Sequence, residues 1–160
     1  YVSFLPKGEL LLDATIRENI RIGNPCATDE EIKEVVRLTC LEEMIANLPA
    51  GYDTVVGQNS PVRLSGGQLA RLNLARVLLK NTPIYILDEF SAEMDIELEI
   101  RIINNLKALD AIFIFITHRD ATIESCNKRV ELKKIALDEK IFSACLVKNG
   151  DEIIKAIQKC

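Results

Sequence analysis

The chain has 160 residues, of which 48% are hydrophobic and 28% charged, and its formal net charge is −4 at pH 7. This length and balance predict one globular domain with its own hydrophobic core. The acidic excess argues against a nucleic-acid-binding surface, which normally carries a basic excess. No hydrophobic run approaches the roughly 18 residues of a membrane-spanning helix, so any span has to come from another segment or subunit.

The chain opens at Tyr1, with no Met and no signal peptide, in what reads as the end of a strand. We therefore expect a fragment of a longer protein. The cysteine count is odd and no C-x-x-C pair occurs, so reduced thiols are expected rather than a zinc site. The cysteines are Cys26, Cys40, Cys126, Cys145 and Cys160.

The first part of the chain is predicted to be mainly helical. A strand end and a turn are expected in residues 1–12. Thr28 and Glu31 form a capping-box pattern at the start of a helix. Turn-forming residues predict an irregular segment over 52–63. The predicted helices cover residues 13–22 and 28–48.

The second part of the chain alternates between helical and strand patterns. Two short runs rich in β-branched and aromatic residues are joined by a segment of helix length, which predicts a βαβ unit with parallel strands. The predicted helices cover 66–80, 96–109 and 151–159. The predicted strands cover 84–87, 111–117, 130–132 and 141–147, with a turn at Asn149-Gly150.

The sharpest motif is Leu64-Ser65-Gly66-Gly67-Gln68. Ser65 and Gln68 form another capping-box pattern. The two glycines allow a phosphate to approach the backbone, where free N–H groups and the helix dipole favour an anion. A plain helix cap after a loop would explain the same residues, so this motif alone leaves both interpretations open.

Acidic and imidazole side chains follow the two predicted parallel strands. Asp88 and Glu89 end the first strand and His118 follows the second. Ligands of open α/β sheets bind at the carboxyl ends of strands, where one carboxylate can position Mg²⁺ and another can orient a water. An acidic strand exit and a structural histidine are the plain alternatives, but the shared sheet edge favours a polar ligand site.

In this order and spacing, the motifs resemble those of the ATP-binding cassette (ABC) ATPase family over residues 1–132. Residues 13–20 and 51–57 are similar to its exporter branch. The matching motifs are the signature motif at 64–68, the helix after it at 69–76, Walker B at 84–89, the D-loop aspartate at Asp95 and the switch histidine at His118.

The resemblance implies an α/β fold, a partial P-loop NTPase (RecA-like) core with parallel strands and an inserted ABC helical subdomain. Residues 1–12 would end the Q-loop region of the core. Residues 13–82 would form the helical subdomain up to the signature helix, and 83–160 the C-terminal half of the core with a divergent tail.

In that family, two nucleotide-binding domains hold two ATP molecules head to tail between them. The implied ligands of this chain are therefore ATP and Mg²⁺. The resemblance implies that Asp88 binds Mg²⁺, that Glu89 is the general base and that His118 contacts the γ-phosphate. It also implies that Asp95 lies at the dimer seam. The residues implied to contact the γ-phosphate of the opposite domain's ATP are Ser65, Gly66, Gly67 and Gln68.

The expected partners are a second nucleotide-binding domain and the transmembrane domains of a transporter, with no nucleic acid. Such a chain would work at the cytoplasmic face of a membrane, held there by a transmembrane partner or an upstream segment. In exporters of this type the membrane domain usually precedes the cassette, so a span before Tyr1 is expected.

The sequence departs from the family pattern at several positions. No Gly-x-x-x-x-Gly-Lys-Ser/Thr phosphate loop occurs, so the chain alone is expected to be inactive. Lys7 aligns with the Q-loop glutamine, where a cation cannot bind Mg²⁺; a solvated lysine of the turn is the plain alternative. Phe90 replaces the proline after the glutamate, and Glu93 adds negative charge to the D-loop. The loop before the signature motif is longer, at Ser60-Pro61.

Alternative hypotheses follow from these departures. The chain is either part of an exporter's ATPase domain or a non-catalytic module that keeps the fold for dimerisation or regulation. A soluble ABC ATPase of DNA repair or translation is a weaker third reading, because the long insertions of those proteins are absent and the chain is acidic.

Overall fold

The structure is a computed structural model that describes residues 1–7, 10–132 and 142–147, with backbone alone for 131–132 and 142–147. Its larger sheet has five strands in the order β1-β4-β5-β7-β6. These strands are β1 (Val2–Leu5), β4 (Ile84–Asp88), β5 (Ile112–Thr117), β6 (Lys128–Leu132) and β7 (Phe142–Val147).

Strands β1, β4 and β5 run parallel, so their carboxyl ends meet at one edge of the sheet. Leu5 lies opposite Leu87, and Leu87 opposite Phe115, in one buried row. Strand β7 runs antiparallel to both β5 and β6. The predicted βαβ unit is confirmed, with helix α5 (Ile96–Lys107) between β4 and β5.

The helical part contains α1 (Ile16–Arg21), α2 (Asp29–Leu38), α3 (Glu42–Ala46) and α4 (Gly66–Leu78). The single helix predicted over 28–48 is wrong, because the chain is broken between α2 and α3. Cys40 at the break has a φ of +54°, a left-handed conformation that an α-helix cannot include. The capping box predicted at Thr28 and Glu31 is present.

A small antiparallel sheet pairs β2 (Ala14–Thr15) with β3 (Val55–Val56). The predicted helix start at 13 and the fully irregular segment over 52–63 are both wrong at this point. Gly57, at φ +134°, lets the chain after β3 pass close to Asp13. The Asp13 carboxylate accepts hydrogen bonds from the backbone and side-chain amides of Asn59, at 3.1 and 2.7 Å.

Helix α4 is the centre of the core, because it packs against α1 and α2 on one side and against β1 on the other. Its buried Arg76 hydrogen-bonds to Leu10 O, Asn19 O, Asn19 Oδ1 and Asn73 Oδ1 at 2.8–3.1 Å. These bonds hold α4 to the segment that leads from β1 to α1. The position of the glycine-opened end of α4 relative to the sheet is therefore set by buried contacts.

Helix α6 (Asp120–Glu124) follows β5 and was not predicted. The predicted strands at the end of the chain correspond to β6 and β7, whereas the turn at 149–150 and the helix over 151–159 lie outside the described residues. Within the described residues, every helix is too short or too polar to cross a membrane.

Candidate functional site at the carboxyl edge of the parallel strands

The predicted acidic pair and the histidine meet at one edge of the sheet. Asp88 is the last residue of β4, Glu89 follows it, and His118 follows the last residue of β5. Nδ1 of His118 lies 3.2 Å from Oε1 of Glu89. The parallel pairing of β4 with β5 produces this contact, because it brings both strand exits to the same level.

Lys7 forms an ion pair with the other carboxylate oxygen of Glu89. Both oxygens of Glu89 are therefore engaged, by an ammonium group and by an imidazole. The hydrogen bond from Lys7 is the main reason that the pKa of Glu89 lies below its ordinary value, with smaller contributions from the charges of Lys7 and His118 against the opposing effect of burial. The same hydrogen bond raises the pKa of Lys7, which is largely exposed.

The backbone of Glu89 is in the left-handed region, with φ +46°. A non-glycine residue pays about 1–2 kcal/mol for this conformation, so the surroundings have to hold it in place. One fixed point is the hydrogen bond from Glu89 N to Ile116 O, at 2.9 Å. This bond ties the first residue after β4 to the neighbouring strand and points the Glu89 side chain toward His118 and Lys7.

The glycine motif begins helix α4 as predicted. Ser65 is its N-cap residue, with Oγ accepting from Gln68 N at 3.2 Å, while Gln68 Oε1 accepts from Ser65 N at 2.8 Å. Gly66 faces the Glu93 side chain so closely that a β-carbon at residue 66 would lie 1.5 Å from Glu93 Oε2. The helix start is thus already in contact with an anionic group of the chain itself.

A cavity of about 250 Å³ connects the two halves of the site. Gly66 and Glu93 line it together with Lys7, Asp88 and Glu89. An anion in this space would meet the helix start and the Lys7 ammonium group, together with three carboxylates that would repel it. The remaining lining residues are Leu5, Pro6, Ala70, Asn73, Phe90 and Ala92.

Five predicted site residues do not line this cavity: Ser65, Gly67, Gln68, Asp95 and His118. Ser65 and Gln68 are used in the capping box, and His118 contacts Glu89 without lining the cavity. Asp95 is exposed and caps helix α5, where its Oδ1 accepts from Leu98 N at 2.9 Å. The structure therefore gives Asp95 a local role besides the seam role implied by the resemblance.

Asp88 fits a magnesium ion bound through a single protein carboxylate. It is partly exposed at the cavity wall, and no hydrogen bond or ion pair joins its carboxylate to another described residue. Mg²⁺ commonly keeps several waters and uses one or two carboxylates plus substrate phosphates. The described residues contain no group of three or more His, Cys, Asp or Glu side chains that could hold a metal ion.

Sequence reasoning missed the buried polar cluster next to the site. Arg119 contacts Glu99, and Glu99 also accepts hydrogen bonds from Ser91 and Thr122. Glu99 lies on α5 among hydrophobic positions, at helical spacing, and the carboxylate is fully buried. The sequence signal for this cluster was Glu99 itself, a charged residue at a core position of the amphipathic helix α5.

Parallel strands with an acidic pair and a histidine at their carboxyl ends, next to the glycine-opened start of a helix, are typical of α/β proteins that bind nucleotides. The family model for ABC transporters matches residues 2–92, more than half of the chain. The chain therefore belongs to the ABC transporter family.

Relatives in Staphylococcus aureus are named multidrug export ATP-binding/permease proteins. The protein of strain bovine RF122 / ET3-1 is 41% identical over 134 residues, and that of strain NCTC 8325 is 40% identical over the same length. Each alignment covers 82% of this chain but only 23% of the relative. The chain thus spans about a quarter of the length of these proteins.

A solved structure of a bacterial Atm1-family ABC exporter with ATP bound is similar to this chain. The TM-score is 0.70 at 35% sequence identity. The similarity covers 76% of this chain and 22% of the exporter chain. The α/β fold predicted from the sequence, with its parallel strands and added helices, is confirmed.

Proposed function

We propose that this chain is the part of an exporter's ATPase domain that supplies the Walker B carboxylates and the switch histidine to one ATP site and the signature helix to the ATP held by a second domain. The observation that carries the proposal is the contact of Glu89 with His118 at the carboxyl edge of β4 and β5, at 3.2 Å. The glycine-opened helix α4 lines the same cavity as Glu89. The relatives named for ATP-binding and export support this assignment.

The proposed chemistry is hydrolysis of ATP, in which water attacks the γ-phosphorus, the bond to the β–γ bridging oxygen breaks, and ADP leaves. Glu89 would orient the attacking water and accept its proton, and His118 would steady both Glu89 and the phosphate. Asp88 would hold Mg²⁺, which when bound neutralises phosphate charge. Ser65, Gly66, Gly67 and Gln68 would contact ATP held by a second domain, with Asp95 at the seam.

The proposed partners are a second nucleotide-binding domain and transmembrane domains. The S. aureus relatives are named as ATP-binding and permease proteins, and this chain matches less than a quarter of their length. A membrane part of the same protein or of a partner would place the chain at the cytoplasmic face of a membrane. The multidrug export in the relatives' names makes export the proposed process.

The test is Mg²⁺-dependent ATP hydrolysis by the intact protein that contains this chain, reconstituted in membranes. Replacing the proposed base, Glu89→Gln, is expected to abolish turnover while ATP binding remains. The matched control is Glu97→Gln, an exposed carboxylate on α5, which is expected to leave turnover unchanged. Full activity of the Glu89→Gln protein would refute the role of Glu89.

A second candidate function is a non-catalytic module used for dimerisation or regulation. The observation that favours it is the ion pair between Lys7 and Glu89, which engages an oxygen that a catalytic base needs for water. The contact of Glu93 with Gly66 also favours a non-catalytic module, because it places a carboxylate where a phosphate would approach.

The two candidates differ in a measurable way. A non-catalytic module would associate with an intact cassette domain, measured by analytical ultracentrifugation, and the intact protein would show no turnover above that of the Glu89→Gln protein. Turnover that depends on Glu89 would exclude this second candidate.

A further inference from the structure

Arg119 directly follows His118, and its side chain is only 21% exposed. Its Nη1 donates to the carbonyl of Ser91 at 2.9 Å and to that of Ala92 at 3.4 Å. Its backbone N–H donates to Thr117 Oγ1 at 3.0 Å. Arg119 therefore joins the residues that follow β5, which include His118, to the loop after β4.

The other contact of Arg119 fixes its guanidinium in place. Nε lies 2.7 Å from Oε2 of Glu99, whose side chain is fully buried on α5. Oε1 of Glu99 accepts hydrogen bonds from Ser91 Oγ, at 2.9 Å, and from Thr122 Oγ1. A carboxylate removed from water requires a cation and hydrogen-bond donors, so Arg119 cannot move outward without leaving Glu99 as an unpaired buried charge.

The loop that Arg119 holds begins with the strained residue of the site. Glu89 has φ +46° and is fixed on one side by its hydrogen bond to Ile116 O. The next fixed point along the loop is Ser91, held at its carbonyl by Arg119 and at its hydroxyl by Glu99. A left-handed conformation of a non-glycine residue persists only when neighbouring contacts over-determine it.

We propose that Arg119 is a positioning residue, which sets the relative placement of Glu89 and His118 by clamping the loop after β4 to the exit of β5. This inference rests on the proposed hydrolytic function. The clamp uses both parts of the guanidinium, because its charge pairs with the buried carboxylate of Glu99 while Nη1 donates to the loop carbonyls. A lysine carries the charge but cannot serve both partners in this fixed geometry.

The first test uses ATP hydrolysis by the intact protein. Arg119→Lys and Arg119→Gln are each expected to lower kcat roughly 10- to 100-fold, with little change in KM for ATP, because Arg119 does not line the cavity. The control is Arg101→Gln, an exposed arginine on α5, with kcat unchanged. All assays are run below the measured unfolding temperature of each variant.

Outcomes that overturn the proposal are equally definite. Wild-type kcat in either Arg119 variant would show that the clamp does not position the site. A loss of kcat that matches the loss of folded protein would reduce Arg119 to a structural ion pair. Glu99→Gln tests the clamp from its other end: it removes the carboxylate that holds the guanidinium, so kcat is expected to fall with little change in KM, and wild-type kcat would contradict the clamp.

The second test does not depend on turnover. His118 is the only histidine of the chain, so its ring Hε1 signal in the proton NMR spectrum of this chain reports on the site alone. Arg119→Gln is expected to shift or broaden this signal, whereas Arg101→Gln leaves it in place. If the intact protein hydrolyses no ATP, the proposed function fails, and an unchanged His118 signal in Arg119→Gln would overturn the positioning role separately.

Discussion

The carboxylate of Glu93 packs directly on Gly66, the first residue of helix α4, where a β-carbon would come within 1.5 Å of Oε2. The carbonyl oxygen of Glu93 lies close to the next glycine, since a β-carbon at Gly67 would be 2.7 Å from it. The N-terminal end of a helix favours an anion through its free N–H groups and its dipole. Glu93 thus provides that anion from within the chain, at the motif proposed to contact ATP.

Glu93→Ala is expected to strengthen ATP binding by the intact protein. Removing the carboxylate leaves the helix start open to a phosphate and removes a repulsive charge. Charges near a helix end contribute about 0.3–1 kcal/mol, so KM for ATP should fall roughly two- to fivefold. The measurement is the ATP dependence of hydrolysis for the wild-type and variant proteins.

The matched control for this prediction is Glu97→Ala, which removes an exposed carboxylate from the first turn of α5. It changes the net charge by the same amount but does not touch Gly66. An equal fall in KM in both variants would mean that net charge, and not the contact with Gly66, weakens ATP binding.

Ser65→Ala and Thr28→Ala form a second matched pair. Both residues are N-caps of capping boxes with the same hydrogen-bond pattern, at α4 and α2 respectively. Each substitution is expected to lower the free energy of unfolding by about 1 kcal/mol, measured by urea denaturation. Only Ser65→Ala is expected to raise KM for ATP, because Thr28 lies outside the site. Equal effects on KM would make Ser65 a helix cap and nothing more.

Lys7→Gln is expected to raise the pKa of Glu89, because the hydrogen bond and charge of Lys7 hold that pKa below its ordinary value. The pKa of Glu89 is lowered only in the folded protein. Its contribution to the free energy of unfolding is therefore fully present above the pKa of Glu89 in the unfolded chain, and it is lost as pH falls through the pKa of Glu89 in the folded protein. The pKa of Lys7 is raised in the folded protein. Its contribution to the free energy of unfolding is therefore lost at alkaline pH, as pH rises through the pKa of Lys7 in the folded protein.

The measurement for Lys7→Gln is a carbon NMR titration of the Glu89 carboxyl group in this chain. Lys33→Gln, on the exposed face of α2, is the control and should leave the Glu89 titration unchanged. A titration of Glu89 that is the same in Lys7→Gln and in the wild type would show that the ion pair does not form in solution.

Local patterns in the sequence predicted most of the elements that position the site. Strands β4 and β5 were recognisable because their hydrophobic, β-branched runs are short and bounded, and α4 because Ser65 and Gln68 mark its start. The carboxyl-edge contact of Glu89 with His118 followed from parallel pairing alone. These inferences needed only neighbours in sequence and one rule of sheet topology.

The features that were missed depend on contacts between distant residues. Strands β2 and β3 have two residues each, too few for an alternation to be recognised. The break at Cys40 lies in a run with helical spacing, and only its left-handed φ reveals it. The partners of Arg119 and of Lys7 come from other elements, so no spacing in the sequence specifies them.

Arg76→Met is expected to destabilise the fold even though it removes a buried charge. Burial lowers the pKa of Arg76, which shows that holding this cation inside costs free energy. However, the substitution leaves the carbonyls of Leu10 and Asn19 and the side-chain oxygens of Asn19 and Asn73 without this donor. Asn19 Oδ1 keeps Leu12 N as a donor, and Leu10 is exposed. The buried acceptors left unsatisfied are therefore Asn19 O and Asn73 Oδ1. Each of these costs about 1–3 kcal/mol, and this loss outweighs the relief of desolvation.

The net fall in the free energy of unfolding should therefore be about 2–4 kcal/mol, measured by urea denaturation followed by circular dichroism. Arg101→Met, on the exposed face of α5, is the control and should stay within about 0.5 kcal/mol of the wild type. Arg76→Lys is expected to fall between the two, because an ammonium group cannot reach all four acceptors at once. If Arg76→Met were as stable as the wild type, the desolvation of the guanidinium would dominate, and the tie between α4 and the segment before α1 would be dispensable for stability.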